Sequence, residues 1–267
     1  MSIAESLLQT VAGLFPGTSK VAEESIAEIE DAIDGRLRRI PTHLNAYGYD
    51  AFGFSPVAAR RALVMSALLY RYWFRVETHG IDRLPKGRML LISNHAGQIA
   101  IDAAMIGAAM VLEAEPPRII RGMGEYWLPT VPWVNIAMVR TGSVVGTRKN
   151  CVALLEADEC VIAFPEGVRG MNKLIWERYQ LQEFGYGFMR LLLGMPAFPV
   201  TLTWPWLGLL GLIPLPVKYH IHFGEPLRFE GNPNDEDEVI AEKVEQVKER
   251  IAAMLAGGLA ARRSLFW

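Results

Sequence analysis

The sequence predicts an α/β fold: a mostly parallel sheet flanked by helices, preceded by a helical N-terminal extension. Three observations point there. From Phe74 onward, short apolar runs alternate with longer amphipathic ones. The chain has 267 residues, 51% of them apolar, so it can bury a core without covalent staples. Ionisable residues stand directly after several apolar runs, where open α/β sheets place their ligands.

The elements follow in order. Near the N-terminus Leu7, Leu8, Val11 and Leu14 fall at helical spacing, which predicts a short amphipathic helix. No Lys or Arg precedes them, so the segment makes a poor secretory signal. Lys20–Asp34 carries Ile26, Ile29 and Ile33 on one face, and Gly35 is expected to end that helix. Arg36, Arg38 and Arg39 form a small basic cluster, and Pro41–Phe54 reads as a loop. Ser55 then Pro56 start a helix reaching toward Phe74. Its flanking Arg60, Arg61, Arg71 and Arg75, with Tyr72 and Trp73, suit a membrane surface and equally a helix that covers a sheet.

Strands are expected at Phe74–Thr78, Met89–Ser93, Arg118–Arg121, Ile136–Val139, Cys160–Phe164, Phe198–Thr203 and Tyr219–Phe223. Helices are expected at Asp102–Leu112, Lys149–Ala157, Glu183–Leu193 and Asp237–Ala256. The uncharged run Leu191–Val217 is 27 residues, long enough to span a bilayer. Five prolines and three glycines within it prevent a self-satisfied helix. It reads instead as a buried strand followed by an apolar loop. The expected division is residues 1–73, a helical and membrane-surface region, and residues 74–267, the α/β domain.

Composition excludes several function classes. Lys+Arg total 27 against 29 Asp+Glu, so no charge draws the chain to nucleic acid. Two cysteines cannot build a disulfide framework. Five histidines without ligand spacing give no structural zinc site, so neither metal nor cofactor is expected. No Gly-x-Ser-x-Gly elbow and no phosphate-binding Gly-Lys loop occurs.

The chemistry gathers after the predicted strands. Asn94 and His95 follow one, with Asp102 beyond; Arg140 follows another; Glu166, Gly167 and Arg169 follow a third. Histidine is a natural general base, and a carboxylate fixes its tautomer and stabilises the charge it gains. Seven residues of continuous helix would span roughly 10.5 Å. His95 must therefore sit in a loop that folds back on Asp102, which Gly97 permits. Arg140 and Arg169 suit a phosphate or carboxylate, and equally ordinary surface pairs.

At these residues the sequence resembles the glycerolipid acyltransferase superfamily, which includes the glycerol-3-phosphate and lysophospholipid acyltransferases. Four motifs stand in the family's order: Asn94-His95 through Asp102, Val134–Arg140, Phe164–Gly170 and Ala197–Thr201. The matching region runs from about Phe74 to Pro226. The resemblance implies that His95 deprotonates an acceptor hydroxyl and Asp102 orients it. Asn94, Arg140, Glu166, Gly167 and Arg169 would hold the substrate. The implied donor is acyl-CoA or acyl-carrier protein, and the implied acceptor is a lysophospholipid. The implied place is the cytoplasmic face of a membrane, bound peripherally or monotopically. Trp204, Trp206, Leu207, Leu209, Leu210 and Leu212 would line an acyl groove, dip into lipid or belong to a core.

Three departures stand out. His95 and Asp102 are separated by six residues rather than four, as in a branch with a Gly-containing insertion. Val168 replaces the family's threonine and Gly170 its serine, which removes two hydroxyl donors. A lipid hydrolase or transacylase using the same base, and a non-catalytic lipid-binding protein, stand as alternatives.

Overall fold

A computed structural model describes residues 19–95, 100–167, 170, 179–182, 215–230 and 236–264. Outside them lie the expected N-terminal helix, the Glu183–Leu193 helix, the Phe198–Thr203 strand and the Trp204–Leu212 loop. Gly97, Val168, Arg169 and Lys173 also lie outside.

Two helices open the described chain, α1 (Ser19–Leu37) and α2 (Pro56–Leu68). They pack through Ile29 and Ile33 of α1 against Val64 and Ala67 of α2. Arg60 fastens the pair by donating to Asp34 at 2.6 Å and Glu30 at 3.3 Å. The Ser55 hydroxyl caps α2, and a π-helical turn, Leu69–Trp73, extends it.

Gly35 does not end α1, which continues to Leu37. A helical glycine costs only about 1 kcal/mol. The added turn carries Arg36, whose guanidinium reaches the carbonyls of Val111 (2.8 Å), Leu112 (2.7 Å) and Ala114 (3.0 Å). The first two end α3 (Ile101–Leu112) and the third lies just beyond it, so a cation meets the negative end of that helix dipole.

Among the described residues every strand pair is parallel. One sheet holds four strands in the order β2-β5-β3-β4: β2 (Met89–Ile92), β3 (Ile120–Gly124), β4 (Val144–Val145) and β5 (Cys160–Ala163). A second pairs β1 (Glu77–His79) with β6 (His220–His222). Both faces of the larger sheet are covered, as parallel sheets require. Cys160 and Ile162 face Met105, Ala109 and Met110 of α3. Val161 points the other way, onto Leu154 of α5 (Arg148–Glu156). The last helix is α6 (Asp237–Ala261).

The expected strand Ile136–Val139 is instead part of a helix, α4 (Val134–Arg140). Seven apolar-rich residues are too few for periodicity to separate the two states. Tertiary contact decides. Met138 packs on Gly124 and Val139 on Gly53, where a Cβ would stand 2.9 Å and 2.5 Å from them. Thr141 Oγ1 closes the helix by donating to the Ala137 carbonyl at 2.8 Å, and Gly142 at φ 107° turns the chain. Among the described residues, no helix is long and apolar enough to cross a membrane.

Candidate active site

Strand register brings the site together. Ile92 of β2 stands opposite Ala163 of β5. His95 and Glu166 each lie three residues further on, so both leave the sheet at the same level. There the His95 backbone N–H donates to Glu166 Oε1 at 2.9 Å. The other Glu166 oxygen accepts the Gln182 N–H at 2.8 Å. Glu166 is 3% exposed, so it is a buried carboxylate whose two oxygens both hold backbone.

Asp102 is the second residue of α3. His95 Nδ1 lies 2.6 Å from Asp102 Oδ2. Asp102 Oδ1 accepts the Ala103 N–H at 2.8 Å, which holds the carboxylate in place. Phe164 stacks on the His95 ring, with centroids 4.3 Å apart and planes inclined by 28°. A buried imidazole is thus gripped at its backbone, at Nδ1 and on one face. With Nδ1 bonded to a carboxylate, Nε2 is the nitrogen suited to proton transfer.

Several neighbours are not evident from sequence. Glu125 follows β3, the strand beside β5, and its Oε1 lies 2.9 Å from where a Cβ on Gly167 would stand. Gly167 has φ 51°, a conformation that glycine takes without strain. Tyr219 packs against Phe74 with centroids 4.6 Å apart and planes tilted by 33°. Burial first, then the Asp102 charge, pushes its phenol up to about 12, so Tyr219 stays neutral beside the pair. Only their positions at strand ends could have flagged Glu125 and Tyr219. Burial likewise pushes the Cys160 thiol up to about 12, so it supplies no thiolate nucleophile.

The other expected site residues fall as follows. Asn94 adjoins His95, and its carbonyl accepts the Ser93 hydroxyl at 3.0 Å. Arg140 lies in the last turn of α4, not after a strand. Its guanidinium sits 3.6 Å from the Tyr49 ring centroid and donates to the Gly53 carbonyl at 3.1 Å. Among the described residues its contacts are therefore with the Tyr49–Ser55 loop rather than with His95. A cavity of about 720 Å³ is lined by Arg36, Arg39, Arg71, Arg75 and Glu77, and not by His95 or Asp102. Convergent chemistry locates the site better than cavity size does.

Gly170 has a packing reason. A Cβ there would stand 2.7 Å from His95 Cβ, 3.0 Å from Glu166 Cβ and 3.1 Å from the His95 carbonyl oxygen. The hydroxyl missing at this position is thus the counterpart of a close approach between Gly170 and the His95 backbone. Gly170→Ser, which restores the family's serine, should lower turnover by roughly tenfold to a hundredfold by displacing His95. Steady-state rates alongside melting curves would check this; faster turnover in the Gly170→Ser variant would refute it.

Comparison with known proteins gives a consistent picture. The acyltransferase family model matches residues 75–203. An uncharacterized protein of Mycobacterium tuberculosis is 30% identical over 96% of this chain and 81% of its own length. An uncharacterized protein of Mycobacterium leprae is 32% identical over 95% of this chain and 79% of its own. A mouse protein described as "DGAT1/2-independent enzyme synthesizing storage lipids" is 27% identical over 36% of this chain and 29% of its own. No solved structure matches the chain at a significant level.

Proposed function

The chain belongs to the acyltransferase family, in the glycerolipid acyltransferase superfamily, and from that premise we propose that it is an O-acyltransferase acting on a lysophospholipid of the 1-acylglycerol-3-phosphate kind. The acyl donor is acyl-CoA or acyl-carrier protein. The observation that carries the proposal is the His95–Asp102 pair at 2.6 Å, in which His95 leaves the carboxyl end of β2 beside Glu166 and Asp102 stands in the first turn of α3.

In this mechanism His95 Nε2 takes the proton of an acceptor hydroxyl. The oxygen attacks the thioester carbonyl and forms a tetrahedral oxyanion. The C–S bond breaks, an ester forms, and the departing thiolate takes the proton back from His95. Asp102 holds the tautomer and stabilises the imidazolium between the two transfers. General base catalysis of this kind supplies roughly 10²–10⁴-fold. Glu166 acts as a positioning residue, because its oxygens hold the His95 and Gln182 backbones. Asn94 and Gly167 border the acceptor. Arg140 and Arg169 bind its anionic group, with Arg140 exchanging the Gly53 carbonyl for it.

The donor and acceptor partition to membranes, and we place the enzyme on the cytoplasmic surface. Exposed Tyr126, Trp133 (81% exposed) and Ile136 support that reading, since aromatic and branched side chains suit the headgroup boundary.

The test is thiol release from long-chain acyl-CoA, with and without lysophosphatidic acid, for wild type and His95→Ala, with lipid products identified. Acceptor-dependent release, phosphatidic acid formation and loss of both in the variant are expected. Release independent of acceptor would instead indicate a hydrolase. Binding of both lipids without release, equal in the variant, would indicate a lipid-binding protein.

A further inference from the structure

Three of the five histidines meet outside the active site. In the parallel β1–β6 pair, Glu77 stands opposite His220, Thr78 opposite Ile221 and His79 opposite His222. Alternation along each strand places Glu77, His79, His220 and His222 on one face. Ile221, on the other face, packs against the core.

The donor atoms converge on that outer face. His79 Nε2 lies 3.3 Å from His220 Nδ1, and His220 Nδ1 lies 3.6 Å from Glu77 Oε2. One ligand atom from each of the three residues falls within 4.8 Å of the others. A tetrahedral zinc ion binds imidazole nitrogen and carboxylate oxygen at about 2.0–2.2 Å, which puts two of its donors about 3.3–3.6 Å apart. The His79–His220 and His220–Glu77 separations already have that size. We propose that Glu77, His79 and His220 form a binding site for a divalent transition-metal ion of the zinc class.

The surroundings fit such an ion. Lys218 Nζ pairs with Glu77 Oε1 at 2.5 Å, while Oε2 is the oxygen nearer His220. The His222 ring stacks on His79 with centroids 4.5 Å apart and fixes the ring plane. Gly258 of α6 makes room for it, because a Cβ there would stand 2.9 Å from His222 Nε2. The donor set of two nitrogens and one oxygen suits zinc, copper or nickel rather than magnesium or calcium. Three protein ligands leave a fourth position for water. His79 and His220 are 141 residues apart in sequence, so the ion would clamp the two strands together.

The experiment is zinc titration of the full-length, EDTA-treated protein, followed by calorimetry and melting curves. Cobalt substitution would add the visible bands of a four-coordinate site. Wild type should bind one equivalent, and zinc should raise its melting temperature. His79→Ala and His220→Ala should each bind at least about tenfold more weakly, since even indirect partners of a metal cost that much. Glu77→Gln is the milder variant, keeping size while losing charge. His95→Ala and Cys151→Ser should bind as wild type does. The proposal is overturned if no equivalent binds, if the strand variants bind undiminished, or if binding disappears with His95→Ala or Cys151→Ser. Melting in EDTA confirms that each variant folds.

Discussion

Asp102→Asn should fold normally and lose about 10³–10⁴-fold in turnover. The amide keeps the volume and the first-turn position in α3. It cannot accept the Nδ1 proton through its NH₂ end, nor balance the charge that His95 acquires as it takes the acceptor proton. His95 would be held in the wrong tautomer or released from its carboxylate, with Nε2 no longer the base. His95 is only 5% exposed, so water offers little replacement. The comparison uses thiol release per enzyme at saturating acyl-CoA and lysophosphatidic acid, together with melting temperature. An undiminished rate would remove the His–Asp mechanism. A parallel loss of rate and stability would assign Asp102 to folding instead. Asp102→Glu, which restores the charge at a longer reach, should recover part of the rate.

Arg121→Met should lower stability by about 3 kcal/mol, because it breaks a buried ion cluster from one side. Arg121, on β3, is 3% exposed. Its Nη2 donates to Asp50 and, at 2.6 Å, to Glu159. Its guanidinium carbon lies 4.8 Å from the Phe54 ring centroid and 5.9 Å from that of Phe52. Asp50 in turn accepts the Phe52 and Phe54 N–H groups, each at 2.8 Å. One cation therefore fixes the Asp50 turn against the start of β5. Methionine fills much of the volume but leaves two carboxylates facing an apolar chain. Nε and Nη1 of Arg121 have no partner among the described residues, so their loss offsets part of the cost. The melting temperature should fall by roughly 5–10 °C. Double replacement of Asp50 and Arg121 by neutral residues should recover part of the loss, since coupled charges are not additive. A fall under about 2 °C, or no such recovery, would show that the cluster contributes little.

The strands flanking the site were legible because each is short, apolar and ended by polar residues. Met89–Ile92 and Cys160–Ala163 both fall inside their expected ranges. The common edge shared by His95 and Glu166 was legible for the same reason: residues after a parallel strand emerge at one edge of the sheet. Val134–Arg140 was not, since its helical state depends on Gly53 and Gly124 receiving Val139 and Met138. Gly35 misled because the carbonyls that Arg36 reaches lie about 75 residues away in the chain.

The sequence by itself determined the fold class, the family and the candidate base with its carboxylate, all carried by local pattern and motif order. Tertiary structure alone decided what each group touches. It turned Glu166 into the anchor of the His95 backbone and set Arg140 on Tyr49. It explained Gly170 by the approach of His95, and it brought His79 to His220 and His222, which the sequence had placed on one strand. The physical reason is shared. Register and packing join residues distant in sequence, and linear spacing carries no information about which strands will pair.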